Sequence, residues 1–337
     1  MANISMFYCC EKTFVHFLLF FNCSYFIVFT LTVLPYLRLV KKALIQLHIA
    51  IFLAGFTAVI GKILENLNEV LLVWYRILIT VIALAVIMYF KKELTRVSFK
   101  DFLRMAKVGA VITFHWVTFY GSVHYGNISI ALVCLSSAGF FAALLEPWYL
   151  KQKVIVPELL LGILTLIGVY IIFDFHPQYK LGIIYGILCA IGSAMFPILN
   201  KELLNEFSPR TLTLYELIGG IIILSFIVPI YLHFAPATNT THYLPTVNEF
   251  YWLIILAILC TVLCFDLQLQ ALKKISGFTS NLMFNLEPLY GIIMAFVFFN
   301  EGDQLNNSFY LGSLLILLAV AIQIYRILKE SKAPKKG

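Results

Sequence analysis

The chain has 337 residues, of which 61% are hydrophobic and only 12% charged, with a formal net charge of +7. Soluble domains carry about 45–50% apolar and about 25% charged residues, so this composition excludes a soluble protein with a large core. The class is a polytopic membrane protein, and membrane orientation accounts for the positive charge, so no nucleic-acid partner is expected. Seven cysteines, at 9, 10, 23, 134, 189, 260 and 264, form no CxxC pair and match no His cluster. They read as small buried hydrophobes, and no disulfide framework, metal site or cofactor is expected.

The first apolar run is 13–34, between Glu11–Lys12 and Arg38, Lys41, Lys42. It is too long for a secretory signal and lacks a small-residue cleavage site. It is therefore expected to be an extra N-terminal transmembrane helix within 1–43. Ten further runs follow, at 44–64, 70–90, 105–123, 128–150, 157–173, 181–200, 211–232, 250–270, 277–299 and 308–328. Each has roughly the 17–25 residues that a bilayer requires. With the start of 44–64 placed inside, 20 of the 24 Lys and Arg fall on the inner side. Lys12, Lys62 and Lys180 fall outside, and only Arg76 lies within a span. Positive charge collects on the cytoplasmic side, which places the C-terminus and its basic tail, 329–337, in the cytoplasm.

The two halves echo one another. Tyr75–Arg76 precedes Tyr215–Glu216 by 140 residues, Lys62 precedes Lys201 by 139, and Gly162 precedes Gly312 by 150. Ile128–Gln152 anticipates 277–301 at a displacement of 149, with Ser136–Ser137 where the later copy has Asn285–Leu286. Two units, 44–175 and 181–328, thus hold five helices each. An odd number inserts the second unit from the opposite side. The expected fold is an all-α ten-helix inverted repeat (5+5) plus the extra N-terminal helix. In secondary transporters of this kind the substrate site lies near the midplane between the halves.

Polar groups inside spans mark candidates for that site, because charge at a helix centre is expensive. Arg76 suits a substrate carboxylate, and its counterpart Glu216 a coupling ion or an amine. A structural ion pair or snorkelling to the interface also fits them, and Tyr215 joins the set beside Glu216. In the third span, His115, Trp116, Phe119 and Tyr120 form one polar aromatic face. His115 serves as a proton relay or as a hydrogen-bonded packing residue. Asp266, with Gln268 and Gln270, adds polarity to the eighth span and lies too deep for a loop. In the ninth, Asn281 and Asn285 share a face, while Glu287 lies about 200° around from Asn285 at 100° per residue. Pro288 breaks that geometry, or Glu287 points to a neighbouring helix; a transport role and a structural lock both remain open. The small pairs Gly182 and Gly186, and Gly219 and Gly220, suit close helix contact.

The phrases FHWVTFYGS, ISIALVCLSSAGFFAALLEP and NLEPLYGIIMAFVFFNE resemble the EamA-type permeases of the drug/metabolite transporter superfamily. The resemblance covers about 44–328 and implies a multi-pass protein of the bacterial inner membrane. It implies outward carriage of a small metabolite, such as an amino acid. It also implies that the third, fourth, eighth and ninth helices line the cavity, with His115, Tyr120, Ser136, Asn285 and Glu287 as pore residues. The 13–34 segment departs from the ten-helix pattern. No HExxH, GxSxG or phosphate-loop motif is present. The expected function is a secondary permease or exporter working by alternating access, with a coupling proton carried by Glu287 or His115. The expected partners are the small-molecule substrate and the lipid bilayer, and a homodimer is left open. The alternative is a membrane-embedded enzyme or lipid-processing protein.

Overall fold

The computed structural model describes residues 38–174, 179–234, 242–275, 280, 283–284, 286–300 and 307–332. The 13–34 run, Asn281 and Asn285 lie outside the described residues. Among those described, the elements are α1 (Arg38–Ile63), α2 (Glu69–Phe90), α3 (Phe99–Tyr125), α4 (Ile128–Leu135), α5 (Ala138–Tyr149), α6 (Val156–Asp174), α7 (Lys180–Leu203), α8 (Pro209–Phe234), α9 (Val247–Ala257), a π-helical turn (Ile258–Leu263), α10 (Cys264–Leu272), α11 (Glu287–Phe299) and α12 (Asn307–Lys332). Helix stands at each of the ten expected spans. Among the described residues, six stretches are long and apolar enough to cross a membrane: 42–63, 69–90, 128–149, 180–203, 209–234 and 247–272.

Local chemistry sets the helix ends. Asn68 opens α2 by accepting from the backbone N–H of Val70 and Leu71, and Ser98 opens α3 by accepting from Asp101. Asn127 accepts from Ile130 at 2.8 Å to open α4, and Thr246 with Glu249 forms a capping box at α9. These side chains satisfy N–H groups that a helix start leaves unpaired.

The fourth and ninth spans share a local irregularity. At Ser136–Ser137 the N–H of Ser137 reaches back three residues, to Cys134 O, between α4 and α5. The Leu286 N–H likewise reaches Met283 O, just before α11. Both are tightened 3₁₀-type turns within a span, and they fall at positions the 149-residue displacement superposes. The two spans also end alike, with left-handed backbone at Lys151 (φ 54°) and Asn300 (φ 52°).

Packing runs between the halves of the chain. α3 lies against α7 and α8, α1 against α10 and α11, α2 against α8 and α9, α4 against α11, and α6 against α12. Close backbone approach depends on small residues where two helices cross. At Gly109, an added Cβ would sit 1.8 Å from the Glu216 carbonyl oxygen, so α3 and α8 touch backbone to backbone. Gly219 and Gly220 of α8 meet Ala106 and Thr113 of α3 in the same seam.

Candidate functional site

A cavity of about 70 Å³ lies at the centre of the bundle. Helix α1 contributes Ala54 and Thr57, α2 contributes Arg76, and α3 contributes Ile112, His115, Trp116 and Phe119. The second half supplies Ser193 and Phe196 from α7, Cys260 from the π turn, and Cys264, Phe265 and Gln268 from α10. Leu135, Phe284 and Glu287 complete the wall. At roughly 10–15 Å³ per water, the space holds about five waters and no metabolite.

Arg76 is 1% exposed. Its Nε donates to Thr261 Oγ1 (2.9 Å), its Nη1 to the Tyr120 hydroxyl (3.1 Å) and its Nη2 to the Cys260 carbonyl (3.2 Å). The guanidinium carbon stands 3.8 Å from the centre of the Trp116 ring. A cation over a desolvated indole face gains about 2 kcal/mol. All four partners are neutral. Among the described residues no carboxylate lies within 4.0 Å of the guanidinium. A guanidinium has five N–H donors, and these bonds use one on each nitrogen. Each terminal nitrogen therefore keeps a second donor beside the cavity that Arg76 lines.

Glu287 is buried and faces the same space. It opens α11 with Pro288 next to it, where proline loses no helical hydrogen bond and the helix dipole favours an acid. His115 donates from Nδ1 to the Cys189 carbonyl at 2.9 Å, which leaves Nε2 as the acceptor nitrogen. Five aromatic rings, of Trp116, Phe119, Phe196, Phe265 and Phe284, also line the wall.

Four of the other expected site residues, all among the described ones, lie elsewhere. Ser136 donates its hydroxyl to Leu132 O at 3.1 Å and borders an apolar crevice between α4, α11 and α12. Glu216 is fully buried between α8 and its neighbours, with Asn200 as its polar neighbour, and its carboxyl oxygens find no hydrogen-bond geometry among the described residues. Tyr215 donates to Thr95 O at 2.7 Å in the loop after α2. Asp266 takes an ion pair from Arg210 at 3.1 Å, and Arg210 also holds Glu93 at 2.7 Å. That pair borders an open recess of about 610 Å³ on the face carrying the 91–98 and 204–208 loops. Arg76, His115, Trp116, Tyr120 and Glu287 are thus gathered at the centre, and Ser136, Tyr215, Glu216 and Asp266 are not. Thr57, Thr261, Ser193 and Phe265 escape the sequence reading. Hydroxyls and rings in apolar runs carry no charge signal, and the π turn has no local signature.

Polar contacts join the two halves of the chain on both faces of the bundle. On the loop 91–98 face, Arg104 bonds Glu206 through two nitrogens, at 2.7 and 2.6 Å. Hydrogen bonding from Arg104 holds the Glu206 carboxyl below its ordinary range, and Ser98 with Arg104 does the same for Asp101. On the opposite face, His242 exchanges backbone bonds with Asn66 and Asn68, and Tyr231 donates to Glu69 at 2.6 Å. Tyr75 donates to Tyr243 O at 3.2 Å there. Tyr75 and Tyr215, 140 residues apart, each grip a loop of the other half on opposite faces.

The EamA-like transporter family model matches residues 41–174 and again 180–325. The chain belongs to the EamA-like transporter family. An EamA-type protein of the drug/metabolite transporter superfamily is a multi-pass membrane permease and not an enzyme, which removes the embedded-enzyme alternative. An uncharacterized transporter of Haemophilus influenzae is 22% identical over 76% of this chain and 85% of its own length. An S-adenosylmethionine uptake transporter of Rickettsia bellii is 24% identical over 76% of this chain and 82% of its own. A solved crystal structure superposes with a TM-score of 0.63 at 12% identity, over 87% of this chain and 99% of its own, which is a likeness of fold.

Proposed function

We propose that this permease carries a small zwitterionic metabolite by alternating access between two inverted five-helix units. The observation that carries the reading is Arg76, a buried cation whose hydrogen-bond and ring partners are all neutral and which shares its cavity with the acid Glu287. A buried charge without a direct ion pair costs several kcal/mol, and a substrate carboxylate seated in the cavity supplies that pair. Glu287, in the same cavity, suits the substrate's ammonium or sulfonium group or, between cargoes, a proton. The aromatic wall suits a sulfonium or a planar ring. S-adenosylmethionine, the cargo named for two relatives, carries all of these groups.

The matched turns at Ser136–Ser137 and Leu286, the matched ends at Lys151 and Asn300, and the reciprocal ties of Tyr75 and Tyr215 support the inverted repeat. A cavity too small for cargo, tied at both faces, supports an occluded state between inward- and outward-open forms. The test is uptake of labelled S-adenosylmethionine into proteoliposomes. Arg76→Gln is expected to lower uptake at least tenfold and Glu287→Gln to change its KM. Arg76→Gln with wild-type uptake, or no saturable uptake of any zwitterion by the wild type, overturns the reading.

A further inference from the structure

We propose that the π-helical turn Ile258–Leu263, acting through Thr261 and together with Tyr120, positions Arg76 for the carboxylate of the substrate. This deepens the function proposed above and rests on it.

The turn changes which backbone groups are available. In an α-helix the Cys264 N–H would bond Cys260 O, four residues back. Here it bonds Leu259 O and Thr261 O. The Cys260 carbonyl then accepts from Arg76 Nη2. Thr261 donates its hydroxyl hydrogen to Leu256 O at 3.0 Å, five residues back. With that hydrogen committed, Oγ1 can meet Arg76 only as an acceptor, and it takes Nε at 2.9 Å. On the other side Tyr120 accepts from Nη1. Gly61 makes room for that ring, because a Cβ there would lie 2.6 Å from Tyr120 Cε1.

Nε, Nη1 and Nη2 are each engaged, and the Trp116 ring supports the flat face. A planar group held at three corners and one face has little freedom left to rotate. None of these contacts neutralises the charge. The seat therefore fixes the direction of the cation without a direct ion pair to a resident acid. It is also composite. Arg76 comes from α2, Tyr120 and Trp116 from α3, and the Thr261 and Cys260 acceptors from the π turn. The anion site is complete only while these three elements are packed together, so carboxylate binding favours that packing. Thr261 and Tyr120 are positioning residues in this scheme, acting through Arg76.

The experiment measures how strongly unlabelled S-adenosylmethionine and its decarboxylated analogue each inhibit labelled uptake into proteoliposomes. Wild-type protein is expected to prefer the carboxylate form at least tenfold. Thr261→Val, equal in shape but without the hydroxyl, is expected to bring the ratio within about threefold, and Thr261→Ser to restore it. Tyr120→Phe, which keeps the ring in place, is expected to lower the ratio severalfold, and it decides the matter if the Val variant does not insert. A Thr261→Val or Tyr120→Phe protein that keeps the wild-type ratio while Arg76→Gln loses it overturns this inference and leaves the proposed function intact. If Arg76→Gln keeps the ratio too, the carboxylate reading itself falls and takes this inference with it.

Discussion

The seam between α3 and α8 offers the sharpest test of the packing. At Gly109 the two backbones meet with no side chain between them, and a Cβ would stand 1.8 Å from Glu216 O and 2.9 Å from Gly220 N. Ordinary contact begins at 3.4 Å, so Gly109→Ala must part the helices by more than 1 Å or bend one of them. Neither neighbour is a flexible side chain, so local rotation gives no relief. Overpacking of this kind costs about 1–3 kcal/mol. Parting the helices also loosens Gly219 and Gly220 from Ala106 and Thr113, which places this variant at the upper end. At about 2 °C per kcal/mol for a large domain, the melting temperature should fall by about 6 °C. Thermal unfolding of purified protein in detergent reads this directly. Gly55→Ala is the control, because its nearest neighbours are the Met294 methyl and Tyr290 Cβ at 3.2 Å, and the methionine can swing aside. It should lose less than half as much. Equal melting of Gly109→Ala and wild type would show that α3 and α8 do not approach as described.

The reciprocal tyrosines predict opposite effects from one chemical change. Tyr215→Phe and Tyr75→Phe each remove one hydrogen bond, worth about 1 kcal/mol. Each should shift opening toward its own face about fivefold, read as maleimide labelling of Ser193→Cys from that side. Labelling that rises from the same side in both variants would contradict the arrangement. Arg104→Ala should reduce stability at neutral pH. The Glu206 carboxyl is held below its ordinary 4.5 by the Arg104 bonds, so the stability this tie contributes is present above that value. It is lost as pH falls through the lowered one. The melting difference between Arg104→Ala and wild type should therefore be flat near neutrality and vanish in strong acid. It should also shrink in 1 M salt, where screening acts within about 3 Å. Ser136→Ala should change uptake KM less than twofold, because that hydroxyl bonds its own helix and not the cavity.

Much of the architecture was legible because a bilayer imposes one length on every span. The apolar runs from 44–64 to 308–328 find helices at their places, and the rarity of a cation inside a span singled out Arg76. The direction a side chain takes was harder to read. Asp266 and Gln268 are two residues apart on α10, hence about 200° apart around the helix. Gln268 reaches the cavity, and Asp266 turns to Arg210 and the recess. Nothing in the local sequence chooses between those faces; the packing of α1 and α8 against α10 does. Tyr215 and Glu216 looked like the partners of Tyr75 and Arg76, and as neighbours in sequence they are. The later pair nevertheless lies toward the opposite face, where Tyr215 reaches Thr95 while Tyr75 reaches Tyr243. Ser136 lies outside the cavity for a different reason, since a small hydroxyl in a span commonly returns to the carbonyl one turn back, as it does here to Leu132. Thr261 gave no warning, because its importance comes from a widened turn that its own residues do not announce.

The neutral ring of partners around Arg76 bears on how the molecule behaves once it is purified. On the proposed function, the central cation has no ion-pair partner while the cargo is absent, and the molecule is then at its least comfortable. Detergent preparations stripped of small molecules should age faster than those kept with a carboxylate-bearing guest. Shelf life then becomes an inexpensive ranking of candidate guests, before any flux has been measured.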